Sequence, residues 1–223
     1  MTARRLVSPV LLLVAAACSG GDRPATAAAP PDWRTTATPA DRARLREWRT
    51  AFLEGLEQAR AGGAAAAVAA EGALLDPDAG GVPGLPPAGD YACRVLKLGA
   101  RRAGGLSYVG YPAFRCRIEA SGGLLRFRKQ TGSQRPVGRI FDGDAGSGRP
   151  VFLGTLVLGD ERRALPYGAD PDRNMIGVFD SLPDGRWRLL LPRPAFESVM
   201  DVIELVPDIR GSPGGDPLAT TSG

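Results

Sequence analysis

The segments FRCRIE at residues 114–119 and LLRFRK at residues 124–129 alternate apolar and charged side chains. On an extended chain, Phe114, Cys116 and Ile118 fall on one face, while Arg115 and Arg117 fall on the other. The same two-residue period places the apolar residues of the second segment opposite its arginines. The pattern therefore predicts two neighbouring strands with one buried face.

Similar short runs continue through residues 89–206, separated by clusters of Gly, Pro, Asp and Ser. They are Tyr91–Leu98, Leu106–Tyr111, Val137–Phe141, Val151–Leu158, Met175–Phe179, Arg186–Leu191 and Val202–Val206. Repeated short strands with turn signals between them indicate an antiparallel sheet, sandwich or barrel. Val151–Leu158 has Thr155 as its one polar residue, so we expect this strand to be covered on both sides.

Helical spacing precedes the strands. Thr38 followed by Pro39 and Asp41 is typical of a helix start, with a hydroxyl cap, a first-turn proline and an acid. Apolar residues then recur with helical period at Leu45, Trp48, Phe52, Leu56 and Ala59. Gly62-Gly63 is expected to end this helix, and a second, weaker one is expected over residues 64–75.

These patterns predict an α+β fold in which one or two N-terminal helices pack on an antiparallel sheet, most simply a lipocalin-like β-barrel. We expect a single globular domain over residues 38–208, helical over 38–75 and β-rich over 89–206. Residues 209–223 are polar and are predicted to be a disordered tail.

The N-terminus has the pattern of an export signal. A positive segment, Met1–Arg5, precedes an apolar run, Leu6–Val14, that is too short to span a bilayer of about 30 Å as a helix. The following Ala15-Ala-Ala-Cys18 resembles the bacterial lipoprotein signal, in which the cysteine is acylated, although Ala15 stands where leucine or valine is more usual. We therefore predict a signal peptide over residues 1–17 and lipidation at Cys18.

Residues 18–37 are rich in Ala, Pro and Thr, and this composition predicts a disordered, lipid-anchored linker to a membrane. Ser19 after the cysteine implies the outer membrane, facing the periplasm, by the sorting rule of such signals. Ordinary signal-peptidase cleavage, which would give a periplasmic or secreted protein, remains the alternative.

Two further cysteines, Cys93 and Cys116, lie in neighbouring strand-like segments. In an oxidising compartment such a pair most often forms a disulfide. A redox-active or nucleophilic cysteine is the alternative, but the chain has no CxxC motif. We therefore predict a structural disulfide.

Composition excludes several chemistries. The chain has no histidine, so a Ser-His-Asp triad, a Cys-His pair and a His-based zinc site are impossible. The formal charge of +4 falls to about +2 without Arg4 and Arg5, and acidic residues are interleaved throughout. Nucleic-acid binding needs a clustered basic patch, so no nucleic-acid partner is expected. The chain has two lysines, Lys97 and Lys129, and we expect neither a cofactor nor a metal.

Several blocks of the sequence are distinctive: Tyr91–Gly99, Tyr111–Ile118, Thr131–Arg135, Val151–Glu161, Trp187–Ser198 and Asp201–Pro207. Together they resemble an uncharacterised proteobacterial family of exported proteins, described only as domain of unknown function 4893. The likeness runs from about Ala40 to Pro207. It implies an envelope protein and supplies no catalytic residues.

Basic side chains cluster around the loop Thr131–Arg135, where guanidinium groups could hold an anionic headgroup, sugar acid or phosphate. A solvated hairpin face is the plainer interpretation. If a ligand site exists, we expect it here, formed by Arg126, Arg128, Thr131, Ser133, Gln134 and Arg135.

The leading interpretation is a non-catalytic envelope lipoprotein that binds a hydrophobic or anionic small ligand, or another envelope protein. Small barrels can hold one ligand inside, although apolar side chains can also fill the interior. A hydrolase of envelope glycans that uses paired carboxylates is the alternative enzyme class. An inhibitor of exported proteases is a third possibility.

Overall fold

The computed structural model describes residues 31–80, 83–143 and 148–208. The predicted signal peptide, the proposed lipidation site Cys18 and the predicted tail over residues 209–223 lie outside these ranges.

The helical part of the described chain comes first. It comprises α1 (Trp33–Thr36), α2 (Pro39–Arg46), α3 (Trp48–Ala59), a π-helical segment (Arg60–Ala64), α4 (Ala65–Ala70) and a 3-10 turn (Gly72–Leu75). The predicted cap is confirmed, since the Thr38 hydroxyl accepts from the Asp41 backbone N–H at 3.1 Å. At Gly63, with φ of 93°, the chain bends and then continues as helix. Within the described ranges, no helix combines the length and apolar character needed to cross a membrane.

The prediction of a disordered linker over residues 18–37 was wrong at residues 33–36. Helix α1 lies inside the segment predicted to be disordered, and its side chain Trp33 is only 9% exposed. Asp32 caps this turn by accepting from the Arg34 N–H at 2.9 Å. Burial of a large aromatic side chain offsets the entropy cost of ordering this short turn, so the packed domain includes residue 33.

Nine strands follow in the described chain. They are β1 (Gly89–Ala100), β2 (Tyr108–Gly110), β3 (Phe114–Ser121), β4 (Leu124–Lys129), β5 (Gln134–Phe141), β6 (Val151–Leu158), β7 (Asn174–Ser181), β8 (Trp187–Pro192) and β9 (Ser198–Pro207). Each pairs antiparallel with its neighbours, and β9 pairs with β1 from Ala100↔Ser198 to Tyr91↔Pro207. Both β2 and β3 pair with the other edge of β1, so together they occupy one position. The sheet is a closed eight-position barrel, which confirms the predicted fold class.

The barrel separates two hydrophobic cores. The inner core contains three aromatic side chains in edge-to-face contact, Phe127 with Phe152 and Phe127 with Phe179, with ring centroids 5.8 and 5.9 Å apart. The outer core lies between the helices and the barrel wall. Strand β6 contributes to both cores, Phe152 to the inner and Leu153 to the outer, as its apolar sequence predicted.

The predicted disulfide is confirmed: Cys93 of β1 and Cys116 of β3 are bonded, with their Cα atoms 5.8 Å apart. Both cysteines belong to the inner core. The bridge joins residues 23 positions apart, for which the chain-entropy model gives about 3 kcal/mol of stabilisation.

An arginine holds the helical part against the barrel. Arg188 of β8 is 0% exposed, although its place in the alternating pattern is on the charged face. Its guanidinium binds the Asp180 carboxylate at 3.0 Å and donates to the backbone carbonyls of Ala73, Leu74 and Asp76. Because the helices cover this face, the arginine is buried, and each of its guanidinium nitrogens has a hydrogen-bond partner.

Candidate functional site

Both lysines of the chain point into one end of the barrel. On β1 the inward positions are Cys93, Val95 and Lys97, and on β4 the inward positions include Phe127 and Lys129. Both lysines are buried. One barrel end is thus filled by aromatic rings, and the other, which we call the mouth, carries two amines.

The Lys97 ammonium lies among acceptors. Its Nζ is 3.3 Å from Asp201 Oδ2, 3.1 Å from Glu197 Oε2 and 3.1 Å from Gln134 Oε1. The Ser198 hydroxyl donates to the other oxygen of Asp201. Burial opposes the charge of Lys97, but the two carboxylates outweigh it and raise the pKa of Lys97 above its ordinary value.

Lys129 has different surroundings. Its Nζ donates to the backbone carbonyls of Thr131 at 2.7 Å and Gln134 at 3.0 Å, and lies 3.5 Å from the centroid of the Phe114 ring. No carboxylate of the described residues lies within ion-pair distance. Burial first, and then the charges of Arg135 and Lys97, lower the pKa of Lys129 to about 8.

A cavity of about 160 Å³ lies between the two amines. Its wall combines apolar side chains, namely Val95, Phe114, Leu156, Met175 and Ile203, with the two lysines, Gln134 and the carboxylates beside Lys97. It continues outward into a wider vestibule of about 640 Å³, and the two spaces share Lys97, Tyr111, Gln134 and Glu197. The mouth therefore offers a space with both apolar and charged walls.

The β8–β9 loop, residues 193–197, covers part of the mouth. Phe196 and Glu197 line the vestibule, and Glu197 Oε2 contacts Lys97. Arg193 and Glu197, at the two ends of the loop, have positive φ values of 44° and 66°. A non-glycine residue in this region costs on the order of 1–3 kcal/mol, so the loop position over the mouth is maintained against local strain.

The predicted arginine site does not form as one site. Arg126 and Arg128 are exposed on the outside of the barrel, because they alternate with the inward Phe127. The Arg135 guanidinium donates to the carbonyls of Gly132, Gly159 and Glu161, so it ties two loops together.

The other predicted site residues also lie in different places, Thr131 outside the cavity and Ser133 and Gln134 in its wall. The Thr131 hydroxyl accepts from the Arg115 backbone N–H at 3.0 Å. Ser133 and Gln134 do line the cavity, and Gln134 contacts Lys97. Of the six predicted residues, these two reach the mouth.

Sequence reasoning did not include Lys97, Lys129, Ser198 or Asp201 among the predicted site residues. A signal was present, since continuing the alternation from Phe127 to Lys129 and from Cys93 to Lys97 puts both amines inside. Asp201 likewise precedes the inward residues Ile203 and Leu205 by two and four positions. The alternation does not show that the barrel is open enough at this end to hold charged side chains.

Two acids at the mouth, Glu197 and Asp201, bear on the paired-carboxylate alternative. Both contact the same Lys97 ammonium, at 3.1 and 3.3 Å. Burial nevertheless raises the pKa of Asp201 above its ordinary value, against the opposing effects of the Lys97 ammonium and the Ser198 hydroxyl. A raised pKa is what a general acid needs, so the paired-carboxylate hydrolase stays a prediction. Within the described ranges, no group of three or more acidic or cysteine side chains could hold a metal ion.

Comparison with known proteins gives one match. The model of a family described as "Domain of unknown function (DUF4893)" matches residues 33–205, which span the helices and nearly the whole barrel. No curated protein and no solved structure matches the chain.

Proposed function

Because the chain belongs to the DUF4893 family, whose description names no activity, we propose a function from the mouth itself: the protein binds a small amphipathic ligand there. The ligand has an apolar body, which enters the cavity between the lysines, and an anionic head, which contacts Lys129. The single observation that carries this proposal is a buried lysine without a carboxylate partner of the described residues, in the wall of a cavity that is also lined by apolar side chains.

The size of the cavity limits the ligand body. A cavity of about 150 Å³ in an apolar core holds a molecule of the size of benzene, and the inner space here is about 160 Å³. Larger ligands would extend into the vestibule. Small-molecule sites combine apolar side chains with a few convergent polar groups, and both kinds line this cavity.

The balance of charges selects the head group. The carboxylates of Asp201 and Glu197 both lie against Lys97, so they compensate that ammonium. Lys129 retains an uncompensated charge, and Arg135 adds a second positive charge nearby. An anionic head beside Lys129 would supply the missing partner, and a charge-assisted hydrogen bond contributes about 1.5–3 kcal/mol.

We place this function in the cell envelope of a proteobacterium, with the protein lipidated at Cys18 and held on the outer membrane. The signal-like residues 1–18 support export, and the Cys93–Cys116 disulfide is compatible with an oxidising compartment. Mass spectrometry of the N-terminal peptide from native membranes should find lipid on Cys18, and an unmodified cysteine would contradict the anchor.

Binding is tested with two ligands of equal shape and different charge, benzoate and benzamide, by isothermal titration calorimetry at pH 7. We expect benzoate to bind about tenfold or more tightly than benzamide, because only benzoate pairs with Lys129. The variant Lys129→Met should remove this preference. Arg126→Met, on the outer face of the same strand, is the matched control and should leave it unchanged.

The outcomes separate the possible sites. Equal affinity for the two ligands, or binding of neither, would overturn the proposal. If Arg126→Met rather than Lys129→Met abolished the preference, the ligand would bind to the outer arginines that the sequence suggested.

A further inference from the structure

We propose that Lys129 is a carbonyl-capturing residue, which forms a reversible imine with small aldehydes that enter the barrel mouth. This reaction takes place in the cavity of the proposed function, but it does not require that the ligand bound there be an anion. It would make the protein a covalent trap or carrier for reactive carbonyl compounds.

The two lysines differ in a way that favours one of them as a nucleophile. Lys97 contacts two carboxylates, which hold its proton. Lys129 contacts two backbone carbonyls and an aromatic ring, none of which carries a negative charge. Its side chain is only 5% exposed and it lines the cavity, so an aldehyde in that space would meet a buried amine.

Opposing effects act on the charge of Lys129. The face of the Phe114 ring favours the ammonium, as do the carbonyls of Thr131 and Gln134. Burial and the positive charges of Arg135 and Lys97 favour the neutral amine, while Glu197 and Asp201, on the same cavity wall, are compensated by Lys97. Burial and the cations prevail, and the pKa of Lys129 falls from 10.5 to about 8.

This shift makes the free amine available near neutral pH. At pH 8 roughly half of the Lys129 side chains carry no proton, whereas an ordinary lysine is less than about 1% neutral. Desolvation in an apolar pocket beside another cation is the arrangement that activates lysines for imine formation.

The reaction balances with groups of the chain and water. The neutral Nζ of Lys129 attacks the carbonyl carbon, the C–N bond forms, and a proton moves from nitrogen to oxygen to give a carbinolamine. Solvent protonates the hydroxyl, and water leaves as the nitrogen lone pair forms the C=N bond. Hydration of the iminium reverses every step.

The test exploits the small number of lysines in the chain. The purified protein is incubated with butanal and sodium cyanoborohydride, which reduces an imine to a stable secondary amine, and the labelled sites are identified by peptide mass spectrometry. The variant Arg126→Lys adds a third lysine on the exposed outer face of the same strand. It provides an internal control, because all three lysines are compared within one folded protein.

At pH 7 we expect labelling of Lys129 to be at least about tenfold faster than labelling of Lys97 or of the lysine introduced at position 126. Labelling of Lys129 should rise with pH to about 8 and then level, whereas the exposed lysine should continue to gain reactivity up to about pH 10. Equal or slower labelling of Lys129 would overturn the proposal.

The benzoate titration tests the proposed function independently of imine formation. If benzoate binds through Lys129 but butanal does not label it, imine formation is wrong and anion binding stands. If butanal labels Lys129 while benzoate does not bind, the capture reaction stands and the anionic ligand is wrong.

Discussion

Arg188, on the helix-covered face of the barrel, and Lys129, in the barrel mouth, are both buried cations, but their partners differ. Under the helices, Arg188 is matched by Asp180 and by three backbone carbonyls, and Asp180 also accepts from Arg149 Nε at 2.6 Å. In the mouth, Lys129 is buried with carbonyls and an aromatic ring but with no carboxylate partner in the described chain.

This difference distinguishes a structural charge from a functional one. A buried charge is costly unless it is paired and hydrogen-bonded, so an ion that is paired and hydrogen-bonded as Arg188 is forms part of the packing. An unmatched one carries a cost that the rest of the fold must offset. Such groups concentrate at functional sites, where a ligand or a reaction uses the imbalance. On this reasoning the mouth is the site, and the more elaborate Arg188 network is not.

The largest expected effect follows from breaking the matched charge. The variant Arg188→Met should lower the free energy of unfolding by about 3–5 kcal/mol, because it leaves the buried Asp180 with half of its partners and frees three carbonyls. Urea unfolding followed by circular dichroism measures this loss. Arg126→Met is the control, and since Arg126 is exposed, it should change stability by less than about 0.5 kcal/mol. A similarly small change in Arg188→Met would show that the ion pair does not hold the helices to the barrel.

The smaller effect has the opposite sign. At pH 7 the variant Lys129→Met should raise the free energy of unfolding by about 1 kcal/mol, because removing a buried charge without a carboxylate partner outweighs the loss of its hydrogen bonds to the carbonyls of Thr131 and Gln134. The pKa of Lys129 is about 8 in the folded protein against 10.5 unfolded, so the cost of its charge is fully present below pH 8. Between pH 8 and pH 10.5 Lys129 has lost its proton in the folded protein but keeps it in the unfolded chain. The unmodified protein therefore becomes more stable as the pH rises, and the difference in stability between it and the variant should shrink.

Urea unfolding of the variant and of the unmodified protein, at pH 7 and at about pH 10, measures the gain in the free energy of unfolding and its decrease with pH. A loss of stability above about 1 kcal/mol at pH 7 would mean that Lys129 is a structural cation like Arg188, and the comparison between the two regions would fail.

The sequence predicted the fold well because one periodicity governs most of it. Alternation in FRCRIE and LLRFRK assigned the inner and outer faces of β3 and β4, and it placed Cys93 and Cys116 on the same side. The Thr38 cap located the start of α2. The boundary at Trp33 escaped this reasoning, because a four-residue turn has too few positions to show a period.

The site was harder to predict because alternation identifies faces and not what covers them. The arginines of β4 and β8 look equivalent in sequence, yet Arg126 is exposed and Arg188 is covered by the helices. Conversely, the inner face holds apolar residues along most of β4 and then an amine at Lys129. Which end of a barrel is filled depends on side chains from all its strands, and this information is not contained in any single segment.

The two lysines permit one direct test of the unmatched charge. With lysine labelled at the ε carbon with carbon-13, the protein should show two side-chain signals, which Lys129→Met and Lys97→Arg assign. The account predicts that the Lys129 signal titrates with a pKa of about 8, while Lys97 titrates above the ordinary value of 10.5. A pKa of 10.5 or higher for Lys129 would show that its charge is satisfied within the fold. That result would contradict the assignment of the mouth as the functional site.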